Sequence, residues 1–213
     1  MNYHPELQKL LLTLEYLCGF VGILYAFKIR NSYWIGFALY LIILAVNDYF
    51  VEDIAALLKM SKQNYYAYVI LPFQFIFFYW LYALKSLNNK GLFLLFTVLY
   101  LASFIPIELY LMPLKVVYSF NYVVGTFLLM LLVFLEFKKQ IQNDNILSFK
   151  TNKMFYINLG IMIFYVGTLP FFGLYNLLIK QLDIWNAYYI YFLVSNCIMY
   201  LLFTASFIWG KTK

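Results

Sequence analysis

The chain has 213 residues, of which 65% are hydrophobic and only 11% are charged, and its mean hydropathy is +0.80. Soluble domains contain about 45–50% apolar and about 25% charged residues, so this composition excludes a soluble globular protein and predicts an integral membrane protein. The net charge of +6 arises from lysines in short loops without a basic cluster of interleaved aromatic residues, which gives nucleic-acid binding no support.

Seven apolar segments are long enough to cross a bilayer as helices, because about 20 residues are needed to span about 30 Å of hydrocarbon. They cover approximately 8–27, 33–58, 65–84, 91–112, 116–137, 154–179 and 186–209. Pro113 separates the fourth segment from the fifth, since proline ends helices. The longest loop runs only from 138 to 153, so the sequence predicts one domain over 1–213, an all-α bundle of seven transmembrane helices in contact with the lipid bilayer.

Two pairs of similar motifs suggest a weak internal repeat. YYAY opens the third span at 65–68, and YYIY opens the seventh at 188–191. EYxxG lies in the first span at 15–19, and NYxxG lies in the fifth at 121–125. If spans 1–3 repeat as spans 5–7 around span 4, the motifs of each pair fall at corresponding positions of the two repeats. Some transporters are built from repeats of this kind.

The distribution of Lys and Arg predicts the orientation, because cytoplasmic loops carry the excess of these residues. Ten of the fifteen fall on one side: Lys28, Arg30, Lys85, Lys90, Lys138, Lys139, Lys150, Lys153, Lys211 and Lys213. The other side has five: Lys9, Lys59, Lys62, Lys115 and Lys180. The N-terminus is therefore predicted outside and the C-terminus in the cytoplasm.

Polar residues within the spans are the candidate functional groups, because a carboxylate at the centre of a span costs about 2.5–3.5 kcal/mol on insertion scales. Asp48 and Glu52 are four residues apart and share one helix face. With the predicted orientation, Asp48 lies about 9 Å below the outer boundary of the bilayer. We predict an outward-facing, ligand-binding pocket walled by Tyr and Phe and formed by Glu15, Asp48, Glu52, Gln74 and Asn196.

Two other interpretations of these groups remain open. The acids inside the spans could form interhelical hydrogen bonds to tyrosine hydroxyls, which average about 0.6 kcal/mol each. Glu52, Asp53 and Glu108 lie near the interface, where simple solvation is the competing explanation, and Glu136 is expected to be solvated beside Lys138 and Lys139. Prolines 72 and 170 fall inside spans and predict kinks, because each removes a backbone hydrogen bond.

Catalytic chemistry has few groups to draw on. His4 is the only histidine, and no HExxH, CxxC or paired-histidine spacing occurs, so we predict no metal site, no cofactor and no enzymatic activity. A retinal Schiff base would require a lysine within the last span, and residues 186–209 contain none.

Four stretches of the later half carry a resemblance to a known group of proteins: NKMFYINLG at 152–160, IFYVG at 163–167, NCIMYLLF at 196–203 and FIWGK at 207–211. They resemble the sixth and final spans of uncharacterised small bacterial seven-helix integral membrane proteins, often encoded beside sensor histidine kinases. The resemblance implies the seven-helix fold, a multi-pass location in the bacterial inner membrane and a role close to sensing.

The sequence thus predicts a receptor-like or accessory signalling protein that binds a small ligand and contacts a cytoplasmic or membrane partner. Partner contact would fall to 138–153 and the C-terminal lysines. The alternative is a small solute transporter of the three-plus-one-plus-three kind, similar to the SWEET class. That class has a Pro-Gln pair in its spans, and the nearest match here is Pro72-Phe73-Gln74. The sequence carries no indication of oligomeric state.

Overall fold

The computed structural model describes residues 4–106, 117–143, 145–173, 178 and 180–211. Helices dominate this part of the chain. In chain order the longer ones are α1 (Pro5–Ile29), α2 (Trp34–Leu57), α3 (Lys62–Ser86), α4 (Lys90–Ala102), α5 (Val117–Gln142), α6 (153–173) and α7 (Leu182–Trp209). A short helical turn at Phe104–Pro106 follows α4, and a 3₁₀ segment at Asn145–Thr151 precedes α6.

Six of these helices are long and apolar enough to cross a membrane. They are α1, α2, α3, Phe120–Gln142 of α5, Lys153–Phe171 of α6, and α7. Six of the seven predicted spans therefore have a counterpart, and the described part of the chain is that of an all-helical protein with several membrane-spanning segments. Large apolar side chains remain exposed on these helices, Phe27 by 83% and Leu57 by 81%, as expected of surfaces that contact lipid.

The fourth predicted span differs from the others. Here α4 is 13 residues long, about 20 Å, which is shorter than a crossing requires. It begins where Asn89 accepts a hydrogen bond from the backbone N–H of Leu92 at 2.9 Å, and its regular path ends at the turn around Ser103. The rest of the predicted span, together with Glu108, Pro113 and Lys115, lies outside the described residues.

Two helices widen locally into π-helical turns, in which a backbone N–H bonds to the carbonyl five positions earlier in the chain. In α3 these turns cover Tyr66–Ile70 and Trp80–Ser86, and in α6 they cover Met162–Val166. The first ends at Ile70, two residues before Pro72, and the N–H of the intervening Leu71 bonds to the carbonyl of Tyr66. The turn before Pro72 is thus widened, and the helix continues beyond the proline without a break. Such π-bulges frequently occur at functional sites.

One compact unit comprises Met1–Ala45 and Phe137–Lys213. Within it α7 packs against α1 and α6. Gly19 and Gly22 let α1 approach α2 closely: a Cβ on Gly19 would lie 3.3 Å from that of Ala45. At the other end of α7, the backbone N–H of Lys211 donates to the carbonyl of Thr151 at 2.9 Å, so the end of α7 is joined to the start of α6.

The second compact unit is Val46–Glu136. Its core is a group of aromatic rings in which Phe75 lies 5.2 Å from Tyr100 and 5.9 Å from Tyr122, measured between ring centroids. The hydroxyl of Tyr79 donates to the carbonyl of Gly125 at 2.9 Å, which joins α3 to α5. Gly125 also leaves room for the ring of Phe75, because a Cβ at this position would lie 2.7 Å from that ring. The predicted single domain and the predicted internal repeat stay predictions.

Candidate functional site

Four polar side chains join α2 to the start of α3 in a hydrogen-bonded group. Asn47 donates from Nδ2 to Oδ1 of Asp48 at 3.1 Å, and the hydroxyl of Tyr66 donates to the same oxygen at 2.7 Å. The hydroxyl of Tyr65 donates to Oδ1 of Asn47 at 2.6 Å. We call Asn47, Asp48, Tyr65 and Tyr66 the Asp48 group. Each bond between the helices joins residues 18 positions apart, so the hairpin between α2 and α3 determines the geometry.

The hairpin itself is specified by its turn. Lys59 has a left-handed φ of 54° just after α2 ends, and Ser61 then caps α3 by accepting a hydrogen bond from the N–H of Asn64 at 3.2 Å. This reversal returns the chain beside the last turns of α2. Asn47 and Tyr65 become buried at the interface of the two helices, whereas Asp48 and Tyr66 are half-buried.

Asp48 has one oxygen engaged and one available. Both hydrogen bonds that it accepts within the described part of the chain reach Oδ1. Tyrosine and asparagine donors fix the orientation of the carboxylate, since two bonds to one oxygen leave little rotational freedom. Oδ2 can then accept from a ligand donor or face a cation. The alternative interpretation of the acids is that they form interhelical hydrogen bonds to tyrosine hydroxyls. For Oδ1 of Asp48 the bond from Tyr66 is such a bond.

The structure places Glu52 and Gln74 in different surroundings, although both belong to the same unit as Asp48. Glu52 lies one turn further along α2 and forms an exposed ion pair with Lys62 at 3.7 Å. Interfacial solvation therefore describes its environment. Gln74 is half-buried on α3, two residues after Pro72 and about 12 Å along the helix from Tyr66.

Glu15 and Asn196 belong to the other unit, on α1 and α7, which pack against each other. Glu15 is buried, with 4% of its surface exposed. Asn196 is half-buried, and its Oδ1 has no hydrogen-bond partner among the described residues. The structure thus confirms polar groups inside the helices, while one pocket shared by all five residues stays a prediction.

The expectation that Glu136 is solvated was wrong. Its exposed fraction is 2%, and Oε2 accepts a hydrogen bond from the hydroxyl of Ser86 at 2.6 Å. The reason is that α5 continues to Gln142, so Glu136 lies within the helix rather than at its end. The neighbouring lysines in the sequence suggested water, but a helix turns adjacent residues in different directions.

Lys153 also has an environment that the sequence did not indicate. It was counted among the loop lysines, yet only 3% of its surface is exposed. Its ammonium lies 5.7 Å from the ring centroid of Trp34 and 5.3 Å from that of Phe207, within the range of cation–π attraction. Gly210 is needed beside it, because a Cβ at that position would overlap the Lys153 side chain.

Comparison with protein families, with curated proteins and with solved structures finds no match for this chain. Within the described residues, no group of three His, Cys, Asp or Glu side chains is arranged to hold a metal ion. The Asp48 group is therefore interpreted from its own chemistry. It offers an oriented carboxylate beside the half-buried hydroxyl of Tyr66, which suits a small cationic or hydrogen-bond-donating ligand.

Proposed function

We propose that this chain is a receptor-like or accessory signalling protein of the bacterial inner membrane that binds a small cationic or hydrogen-bond-donating ligand at Asp48. The proposal includes seven crossings, with the N-terminus outside and the C-terminus in the cytoplasm. The excess of lysine on one side and the resemblance of the later half to small bacterial seven-helix proteins support this arrangement. Residues 138–153, the longest predicted loop, then lie on the cytoplasmic side where a partner can contact them.

One observation supports ligand binding above the others. Asp48 is a half-buried carboxylate on a membrane-spanning helix whose Oδ1 is fixed by Tyr66 and Asn47 while Oδ2 is not engaged by a described residue. A carboxylate in such a helix is costly, and structural hydrogen bonding would satisfy it equally well with an amide in its place. A carboxylate rather than an amide at this position is best explained by a ligand that interacts with it.

Signalling further requires two states of the bundle that the ligand stabilises differently. α3 supplies a suitable element, since Tyr66 stands at the start of its first π-helical turn and Pro72 follows that turn. A π-bulge can shift along a helix or close to an α-helical turn, which rotates the residues beyond it. A ligand that changes the bond between Asp48 and Tyr66 would therefore act directly on this turn.

The test uses the full chain in lipid nanodiscs with tetramethylammonium, methylammonium and guanidinium as probes. Binding to the folded state raises the unfolding temperature by mass action, so at least one cation should stabilise the wild type. Asp48→Asn should abolish that response. Asp53→Asn, on the same helix but exposed, is the matched control and should respond as the wild type does. An unchanged response in Asp48→Asn would contradict the proposal.

A transporter is the second candidate. Pro170 lies inside α6, four residues after the π-helical turn at Met162–Val166, and interrupted helices commonly border substrate sites in transporters. A transporter moves its substrate, so the cation that stabilises the protein should accumulate inside proteoliposomes containing it. Binding without accumulation favours the receptor, and a photocrosslinker at Ser148 in intact cells should then capture a cytoplasmic partner.

A further inference from the structure

A buried cation lies at one end of the first compact unit. Lys153 is only 3% exposed, although it is the first residue of a membrane-spanning helix, where lysine side chains normally extend into water. Its Nζ makes no ion pair or hydrogen bond with any residue that the structure describes. The ammonium group therefore has three N–H donors and no acceptor oxygen from this part of the chain.

Aromatic rings flank this ammonium group. Nζ of Lys153 lies 5.7 Å from the ring centroid of Trp34 and 5.3 Å from that of Phe207. The ring faces attract a cation, but they supply no lone pair in the directions of its N–H groups. The nitrogen is not one of the polar atoms that are fully enclosed without a partner, so its tip is accessible at the end of a buried stem. An anion that approaches this tip would meet unused donors.

Lys28 adds a second positive charge beside the first. Its Nζ lies 5.8 Å from the ring centroid of Tyr25, and the centroid of that ring lies 6.4 Å from that of Phe207. The two ammonium groups thus contact neighbouring rings of α1 and α7, and their like charges repel each other. We call Lys28, Lys153, Tyr25, Trp34 and Phe207 the Lys153 site. One anion between its two cations would relieve this repulsion.

The described acids of this unit lie towards the opposite ends of its helices. They are Glu6, Glu15 and Asp183. Glu15 precedes Lys28 by about 20 Å along α1, and Glu6 is further away. Asp183 is near the start of α7, whereas Phe207 is near its end. The partial positive charge of the α6 N-terminus adds to that of the lysines, so the described residues of this unit leave the site without a counter-ion.

The Lys153 site lies where several membrane-spanning helices begin or end. Lys153 begins the span of α6, Trp34 begins α2, and Lys28 is in the last turn of α1. Around them, Trp209 at the end of α7 is 60% exposed, and Phe27 is 83% exposed. Tryptophan and lysine at helix ends are typical of the headgroup level of a bilayer, which is where the phosphates of lipids lie.

We propose that the Lys153 site binds a phosphate group and that an anionic phospholipid of the surrounding leaflet supplies it. The phosphate oxygens would accept from the N–H groups of Lys28 and Lys153, since lysine is a common phosphate ligand. Two cations without a carboxylate favour a lipid of net negative charge over a zwitterionic one. The acyl chains would lie along the exposed apolar surface at Phe27. The site is independent of Asp48 and of the direction in which the chain crosses the membrane.

The experiment measures binding of the first added lipid to the full chain in detergent by native mass spectrometry. The probes are phosphatidylglycerol and phosphatidylcholine, which both contain a phosphate, although only phosphatidylglycerol has a net negative charge. The wild type should bind phosphatidylglycerol about tenfold more tightly, because a hydrogen bond between charged groups contributes at least that factor. Lys153→Met keeps the apolar stem and removes the charge, so it should abolish the preference.

Two further variants separate this site from a general attraction of anionic lipid. Lys28→Gln changes an exposed side chain, so folding is preserved, and it should reduce the preference about two- to fivefold. Lys150→Gln, which removes an exposed lysine beside Phe149, is the matched control and should bind both lipids as the wild type does. An unchanged preference in Lys153→Met and Lys28→Gln, or an equal loss in Lys150→Gln, would overturn the proposal.

Inorganic phosphate distinguishes the two sources of the group. Titration calorimetry with the full chain in phosphatidylcholine nanodiscs should detect no binding of inorganic phosphate to the wild type, because the free ion lacks the acyl chains that hold a lipid at the site. Binding of inorganic phosphate to the wild type but not to Lys153→Met would assign the site to the free ion and would overturn its assignment to a lipid.

Discussion

Tyr65 and Tyr66 are adjacent in the sequence, yet their hydroxyls have different environments. Tyr65 is 5% exposed and bonds to Asn47, which is 6% exposed, so neither group can turn to water. Tyr66 and Asp48 are half-buried, and water can replace the lost partner if their bond is removed. The stability of the hairpin therefore depends on the buried bond, whereas the ligand binding proposed at Asp48 depends on the half-buried bond.

This contrast gives a prediction for two matched substitutions. Tyr65→Phe should destabilise the protein by about 1–3 kcal/mol, because it leaves Oδ1 of Asn47 buried without a donor. Tyr66→Phe should lower the free energy of unfolding by at most about 1 kcal/mol, since Asp48 can accept from water instead. Thermal unfolding of the purified protein measures both, with the exposed Tyr49→Phe as control. Equal losses for the two tyrosines would show that burial does not separate them.

Glu136 gives a second prediction at this scale. Replacing it by alanine removes the acceptor of Ser86 and opens a space in a buried position, so we expect a loss of about 1–3 kcal/mol. Glu52→Ala, which removes an exposed carboxylate, should stay within about 0.5 kcal/mol of the wild type. Unfolding midpoints of the two variants provide the comparison, and a stable Glu136→Ala protein would mean that this carboxylate is not needed for packing.

The sequence identified which polar residues were unusual but not what each one contacts. Asp48 stood out because a charge in an apolar run is costly, and it does lie in a polar group. Its partners Tyr65 and Tyr66 could not be selected among 22 tyrosines. Glu136 is expected to be solvated because Lys138 and Lys139 are close to it in the sequence, and Lys153 is counted with the lysines of a loop. Burial depends on which side of the helix faces the core, and a helix without strong amphipathic periodicity does not reveal that side.

At the scale of the helices, the positions of the spans were predictable and their internal geometry was not. Apolar length alone located α1, α2, α3, α5, α6 and α7, because hydrocarbon thickness dictates about 20 residues. The π-helical turns have no comparable signal. Pro72 predicts a kink in α3. In the structure the preceding turn at Tyr66–Ile70 is π-helical instead, and the identity of these residues does not predict that widening.

The π-helical turn of α6 depends on its neighbour α7. Tyr191 donates to the carbonyl of Ile163 at 2.7 Å, and Gly167 makes room for the Tyr191 ring. Gly167→Ala would overlap that ring, so we predict a loss of about 1–3 kcal/mol from overpacking. Gly91→Ala, where a Cβ meets only Asn89 at 3.5 Å, should be neutral or slightly stabilising.

Thermal unfolding of the two alanine variants tests this dependence. A Tyr191→Phe variant keeps the ring but removes the hydroxyl, and should reduce stability without the steric overlap. If Gly167→Ala were as stable as Gly91→Ala, the close contact between α6 and α7 would not be a constraint on the fold.

At the scale of the whole molecule, the proposed seven crossings and the six long helices imply different positions for later loops. With seven crossings, the loop near Asn143 lies in the cytoplasm and the start of α7 lies outside. If α4 did not cross, every loop after it would change sides. The lysine count alone favours the first arrangement, because it places ten of the fifteen basic residues in the cytoplasm.

Single cysteines in a Cys18→Ala, Cys197→Ala background distinguish the two arrangements. A membrane-impermeant maleimide added to spheroplasts should label Ser61→Cys, and should label Asn88→Cys and Asn143→Cys only after permeabilisation. All three positions are exposed, so accessibility in the folded protein does not limit the reaction. Labelling of Asn143→Cys from outside would show that α4 does not cross and that the chain has six crossings. Labelling of Asn88→Cys from outside would show that the predicted orientation, with the N-terminus outside, is wrong.

The backbone bond between Lys211 and Thr151 has a practical bearing on anything attached to the tail. A force applied to the chain after Lys211, by a fused tag or a bound protein, acts on the hydrogen bond between Lys211 and Thr151. It therefore acts on the start of α6 directly as well as on α7. Purification handles placed directly after Lys213 would load this junction, and a flexible spacer would relieve it.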